Sequence, residues 1–187
     1  MRVLGFDVLA VDHPVTFGRG VMAGAQLIAA HYGIASDDML AEYLRQWKRI
    51  AEDGIDLLPG AGAVVRAVAG AGIVVALVTS GERGYADEFL RVSNLADVFS
   101  CTVASEDVAN HKPHPEPYLK AAESMGFAAS ECVVFEDSAA GFRAARGAGM
   151  YCVGVGDTAL TATGGDAPDL AIASFEELDV GGLLGTD

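Results

Sequence analysis

Carboxylates, hydroxyls and a lysine recur at the ends of apolar runs in this chain. Asp7 ends the run Val3-Leu4-Gly5-Phe6, and Thr79-Ser80-Gly81 ends Ile73–Val78. Lys112 lies in His111-Lys112-Pro113-His114-Pro115, and Glu136-Asp137 ends Cys132–Phe135. Each has an ordinary reading: a strand-end carboxylate, a helix cap, a solvated lysine, an acidic first turn. Brought to one spot, they fit one chemistry. Converging carboxylates repel and raise each other's pKa. A Mg²⁺ ion with oxygen ligands relieves that repulsion and also holds a phosphate. Asp7 is the candidate nucleophile, forming an aspartyl phosphate. The Thr79 hydroxyl, with Ser80 and the following helix N-terminus, donates to phosphate oxygens. Lys112 offsets charge that builds up during transfer. Asp7, Glu136 and Asp137 are the candidate metal ligands, direct or through water.

The elements that must position these groups follow from the pattern. An apolar run such as Val3–Phe6 predicts a strand covered on both faces, with Asp7 at its carboxyl end. From Leu58-Pro59-Gly60 onward, helices and strands alternate. Helices are predicted over Ala61–Ala69, Arg83–Val92, Pro115–Met125 (proline first) and Ala139–Ala148, the last with Ser138 as N-cap. Strands are predicted over Ile73–Val78, Phe99–Val103, Cys132–Phe135, Tyr151–Val155 and, more weakly, Leu170–Ala173. Such alternation predicts parallel βαβ units in a doubly wound sheet. Between Asp12 and Pro59 the alternation stops. Val21–Tyr32 is Ala-rich and closed by Gly33. Ser36 is placed to cap a second helix, in which Leu40, Leu44, Trp47 and Ala51 recur at helical spacing before Gly54. Residues 13–58 are therefore expected to form a small helical insert on a core built from 1–12 and 59–187. The Gly-rich tail after Asp179 is expected to fray.

Composition bounds the partners. Twelve basic against 26 acidic residues leave a net charge of −14, which argues against nucleic acid and anionic membranes. An anionic substrate then needs local positive charge or a metal. The longest apolar run, Ile73–Val78, is too short to span a bilayer, and no signal-like start is visible. Cys101, Cys132 and Cys152 are an odd number in or beside apolar runs, which predicts reduced thiols in a cytoplasmic protein. Monomer and homodimer remain equally open.

Phe6-Asp7-Val8, Leu77-Val78-Thr79-Ser80, Lys112-Pro113-His114-Pro115-Glu116-Pro117-Tyr118 and Val134-Phe135-Glu136-Asp137-Ser138-Ala139-Ala140-Gly141 stand in this order along the chain. In that order they resemble the four motifs of the haloacid dehalogenase superfamily, most closely its β-phosphoglucomutase-like branch. The resemblance implies a Rossmann-like core with a helical cap, Mg²⁺, and small phosphorylated metabolites as substrates. It also implies that Gly18-Arg19-Gly20 is the cap's substrate loop, making Arg19 a candidate contact.

One departure bears on activity. In the family the nucleophile is followed by x-Asp-Gly-Thr or x-Asp-Gly-Val; here Asp7-Val8 runs directly into Leu9-Ala10-Val11-Asp12. Leu9 stands where the family's acid–base aspartate would be, and the cap looks short of its first helix. The chain reads either as a shortened relative or as one from which residues of the parent are left out. The expected function is a Mg²⁺-dependent phosphatase, impaired at the acid–base step. The alternatives are a degenerate phosphate-, metal- or partner-binding protein, a mutase, or a 2-haloacid dehalogenase, a branch that also lacks the second aspartate. Asp12 is the candidate substitute.

Overall fold

The computed structural model describes residues 57–184 continuously and, before them, residues 2–3, 6–7, 26, 29–30, 33–35, 37–38, 41–42 and 45. Near the N-terminus, β1 (Arg2–Val3) and β2 (Phe6–Asp7) pair antiparallel, Arg2 opposite Asp7 and Val3 opposite Phe6. A single strand over Val3–Phe6 was expected. Only Leu4 and Gly5 separate the paired positions, a length that permits antiparallel but not parallel pairing. Among the described residues the ladder of β2 runs to β1 alone. Of the expected insert, residues 26, 29–30, 37–38, 41–42 and 45 are helical and fall inside the two predicted helices. The boundary expected at 12/13, Ser36 as a cap, and Arg19 lie outside the described residues, whereas Leu58 and Pro59 are described and lead into the turn before the helix that begins at Ala61.

From residue 61 the alternation holds. The order is α1 (Ala61–Gly70), β3 (Ala76–Val78), α2 (Arg83–Val92), β4 (Cys101–Val103), α3 (Glu116–Met125), β5 (Val133–Glu136), α4 (Ala139–Gly147), β6 (Tyr151–Val155), α5 (Asp157–Thr161), β7 (Leu170–Ile172) and α6 (Val180–Leu184). β3 and β4 pair in parallel, with Val78 opposite Val103; β5, β6 and β7 form a second parallel set. The β3–β4 ladder continues past its formal ends, Ser100 N–H donating to Val75 O at 2.8 Å and Thr79 N–H to Val103 O at 2.9 Å. This is the Rossmann-like α/β core expected.

Side-chain size explains how the layers close. On one face of β5–β6, Val134 and Cys152 meet Phe142, Ala144 and Ala145 of α4, and Tyr118 of α3 joins them. Ala144 and Ala145 are fully buried and let the helix axis approach the strands. On the other face Val153, Val155 and Ile172 pack with Phe175 and Leu178, and Phe175 lies against Phe135 at 5.5 Å between ring centroids.

Three local details differ from expectation. Pro115 is the N-cap of α3 rather than its first residue, with Pro117 in the first turn. The tail forms α6, which packs on α1, so residues 180–184 are ordered by tertiary contact rather than frayed. α5 has no counterpart in the sequence reading, five residues being too short to show a helical period. The cysteines are unpaired, Cys152 buried and the other two half-buried. No helix among the described residues is long and apolar enough to cross a membrane.

Candidate active site

Lys112 and Glu136 form a buried ion pair, their side chains 8% and 7% exposed, so both charges are withdrawn from water together. Lys112 Nζ donates to Glu136 Oε1 and, at 3.2 Å, to Val78 O at the carboxyl end of β3. One ammonium therefore joins the carboxyl ends of β3 and β5. The Tyr118 ring lies beneath it, centroid 4.7 Å from Nζ, and the Tyr118 hydroxyl donates to the same Oε1 at 2.8 Å. The Lys112–Pro113 peptide is cis.

The second Glu136 oxygen is held by backbone. Oε2 accepts from Asp137 N–H at 2.9 Å, Ser138 N–H at 3.0 Å and the Ser138 hydroxyl at 2.9 Å. Ser138 Oγ also accepts from Gly141 N–H at 3.0 Å, capping α4. A Cβ at Gly141 would lie 1.9 Å from Glu136 Cδ, so only glycine lets the carboxylate rest against the first turn. Five donors thus take up the roughly four lone-pair sites of one carboxylate. Glu136 is the seat of Lys112, which favours contact with any metal through water rather than directly.

Electrostatics follow the geometry. Burial acts to raise the Glu136 pKa, but the Lys112 charge and the hydrogen bonds outweigh it and hold Glu136 below the ordinary carboxylate range. Asp137 is pushed up, first by burial and then by the Glu136 charge. Burial, reinforced by Glu136, drives the Tyr118 phenol far above its usual value, so it stays a hydrogen-bond donor.

The neighbouring loops are tied in. Gly81 N–H donates to Thr79 Oγ1 at 3.0 Å and Ser105 N–H to Gly81 O at 2.9 Å, fixing the Thr79-Ser80-Gly81 turn beside Val78. Glu116 closes the Lys112 loop from outside. Its carboxylate accepts from Ala109 N–H at 2.7 Å, Asn110 N–H at 3.0 Å and Asn110 Nδ2 at 2.7 Å.

The structure therefore brings together Thr79, Lys112, Glu136 and Asp137, with Ser80 next in the loop. Asp7 ends β2, and its side chain, like Arg19, lies outside the described residues. Among the described residues no three His, Cys, Asp or Glu side chains converge as a metal cage. Tyr118, Gly141 and Glu116 stand within the quoted motifs, but their residue types alone assign them no role. Tyr118 had a signal: it shares one helix face with Ala121 and Ala122, yet carries a hydroxyl that a purely apolar face does not need.

Polar groups gathered at the carboxyl ends of parallel strands, wrapped by helices, define an α/β enzyme core of the doubly wound type. More narrowly, the chain belongs to the haloacid dehalogenase-like hydrolase family, whose profile matches residues 23–155. It is similar to hexitol phosphatase A of Escherichia coli, 34% identical over 176 residues, 92% of this chain and 80% of that one. It also resembles phosphoglycolate phosphatase of the same organism, 33% identical over 111 residues, 59% of this chain and 44% of the other. In three dimensions it superposes on β-phosphoglucomutase from Clostridium difficile with a TM-score of 0.78 at 22% identity, covering 97% and 83% of the two chains, a likeness of fold.

Proposed function

We propose that this chain is a Mg²⁺-dependent cytoplasmic phosphatase of small phosphorylated metabolites, slowed at its acid–base step. The observation that carries the reading is the buried Lys112–Glu136 pair joining two strand ends beside Thr79 and Asp137. An ammonium in such a place strengthens any interaction with an anion, because water does not screen it. The donor set is oxygen only, and an acid raised by burial and then by the Glu136 charge suits Mg²⁺. Asp137 and Asp7 would hold the ion, which supplies charge neutralisation for a phosphate. Asp7 would attack phosphorus as the ester P–O bond breaks and the alcohol leaves, water then cleaving the aspartyl phosphate to release inorganic phosphate. Thr79 and Ser80 donate to the phosphate oxygens, and Lys112 places its remaining N–H on one of them. Residues 13–58, with Arg19, form the cap that selects the organic part.

Leu9 in place of an aspartate removes general acid–base help, typically worth about 10²–10⁴ in rate, or roughly 3–5 kcal/mol of barrier. Esters with poor leaving groups suffer most. The same position favours a second reading, a phosphate- and metal-binding protein without turnover. Release of inorganic phosphate from hexitol phosphates, phosphoglycolate and an aryl phosphate, with and without Mg²⁺, separates the two. The phosphatase reading expects aryl phosphate turnover that needs Mg²⁺ and a phosphoryl adduct at Asp7 by mass spectrometry. Vanadate binding without turnover of any ester would leave only the binding protein.

A further inference from the structure

We propose that Tyr118 is a positioning residue for Lys112, carrying the ammonium on its ring and sharing the Glu136 oxygen to which that ammonium is tied. The inference rests on the phosphatase reading and adds to it the group that keeps the lysine available. An ammonium has three N–H donors. Lys112 places one on Val78 O and one on Glu136 Oε1, leaving one for a phosphate oxygen. An unshared carboxylate would draw the ammonium fully into the ion pair. The Tyr118 hydroxyl, 2.8 Å from the same Oε1, satisfies part of that charge. Glu136 itself is held on its other oxygen by residues 137 and 138, so it does not follow the lysine. The ring centroid, 4.7 Å from Nζ, lies within cation–π range and holds the ammonium from below.

Packing alone does not call for this residue. Tyr118 is 5% exposed and belongs to the apolar cluster beneath β5 and β6, where phenylalanine would fill nearly the same volume. A buried hydroxyl is tolerated when partnered, and its partner here is the seat of Lys112. Chain geometry couples the two further: Lys112 lies in the loop that Glu116 closes, and Tyr118 lies in the first turn of the helix that this loop enters.

The test is a double-mutant cycle on aryl phosphate turnover. Tyr118→Phe should lower kcat by about 10-fold, the scale of one hydrogen bond to a charged group, with KM changed less than about two-fold. Tyr118→Leu, which also removes the ring, should lower kcat further. In a Lys112→Met background Tyr118→Phe should have almost no added effect, whereas a residue that only supports the fold lowers both backgrounds equally. Equal effects in the two backgrounds overturn the proposal.

A second readout needs no turnover. Acetylation of the folded protein with acetic anhydride, read by peptide mass spectrometry, should modify Lys112 far more slowly than Lys120, which is exposed on α3. Tyr118→Leu should raise the Lys112/Lys120 ratio several-fold and Tyr118→Phe should raise it less, each variant being checked as native by circular dichroism. If the wild-type chain hydrolyses no phosphate ester, the phosphatase reading fails alone and this ratio decides the seating of Lys112. A ratio unchanged in Tyr118→Leu overturns the seating whatever the activity.

Discussion

Lys112 and Glu136 are each nearly closed off from water, so removing one leaves the other charge alone in the interior. Lys112→Met should cost about 3–5 kcal/mol, the scale for breaking a buried pair from one side. At this chain length each kcal/mol lowers Tm by about 2–4 °C. Pairing it with Glu136→Gln should recover part of the loss, because the pair as a whole contributes little against a neutral replacement. Thermal melts of the singles and the double check this. A loss below about 1 kcal/mol for Lys112→Met would mean that the lysine reaches water. Gly141→Ala tests the other side of the seat. Alanine in a helix ordinarily gains about 1 kcal/mol over glycine. Here the sign should reverse, since the added methyl falls on the Glu136 carboxylate.

The Lys112 loop and the helix it enters behave as one element because Glu116 bridges them. Backbone donation from Ala109, then the Asn110 side chain, holds the Glu116 carboxyl below its ordinary 4.5. A carboxyl lowered in the folded state contributes stability that is present above the unfolded value and lost as pH falls through the folded one. Melting temperature should therefore fall below about pH 4.5 less steeply in Glu116→Gln than in the wild type, and parallel acid limbs would refute the bridge. The shortened first motif makes a loop-scale prediction. Inserting Asp-Gly-Thr after Val8 should raise alkyl phosphate turnover by about 10²–10⁴, and Asn-Gly-Thr should not. Equal rescue by both would make loop length, not acid–base chemistry, the deficit. At this scale the sequence was readable where long apolar or capped segments set the pattern: the spans of α1 and α2, Ser138 at the head of α4, and the succession of β3 to β7 along the chain between helices. It was less readable where pairing, not composition, sets the limits. Ile73, Val74 and Val75 are as β-prone as Leu77, yet the paired register covers only Ala76–Val78, and the hydrogen bond beyond it reaches back no further than Val75. The clustering of Thr79, Lys112, Glu136 and Asp137 was readable because each follows a strand or lies in the next loop. Tyr118 was not, since nothing in Pro117-Tyr118-Leu119 says which strand the hydroxyl will meet.

For the molecule as a whole, a net charge of −14 means that folding gathers like charges. Mg²⁺ should raise Tm by binding the folded state, and more than an equal ionic strength of NaCl does. Asp137→Asn should remove the excess, and an excess that survives would move the ion elsewhere. The buried thiol beneath the site offers a clock for the same layer. Cys152 is 2% exposed and its thiol is pushed up to about 12, by burial and then by Glu136, so near neutral pH a disulfide reagent reaches it only when α4 lifts from the sheet. Cys101 and Cys132 are half-buried and should react first, leaving a third, slow phase that times this opening without any introduced label. Vanadate with Mg²⁺ should lengthen that phase, because closing the carboxylate layer above also closes the door to the sulfur.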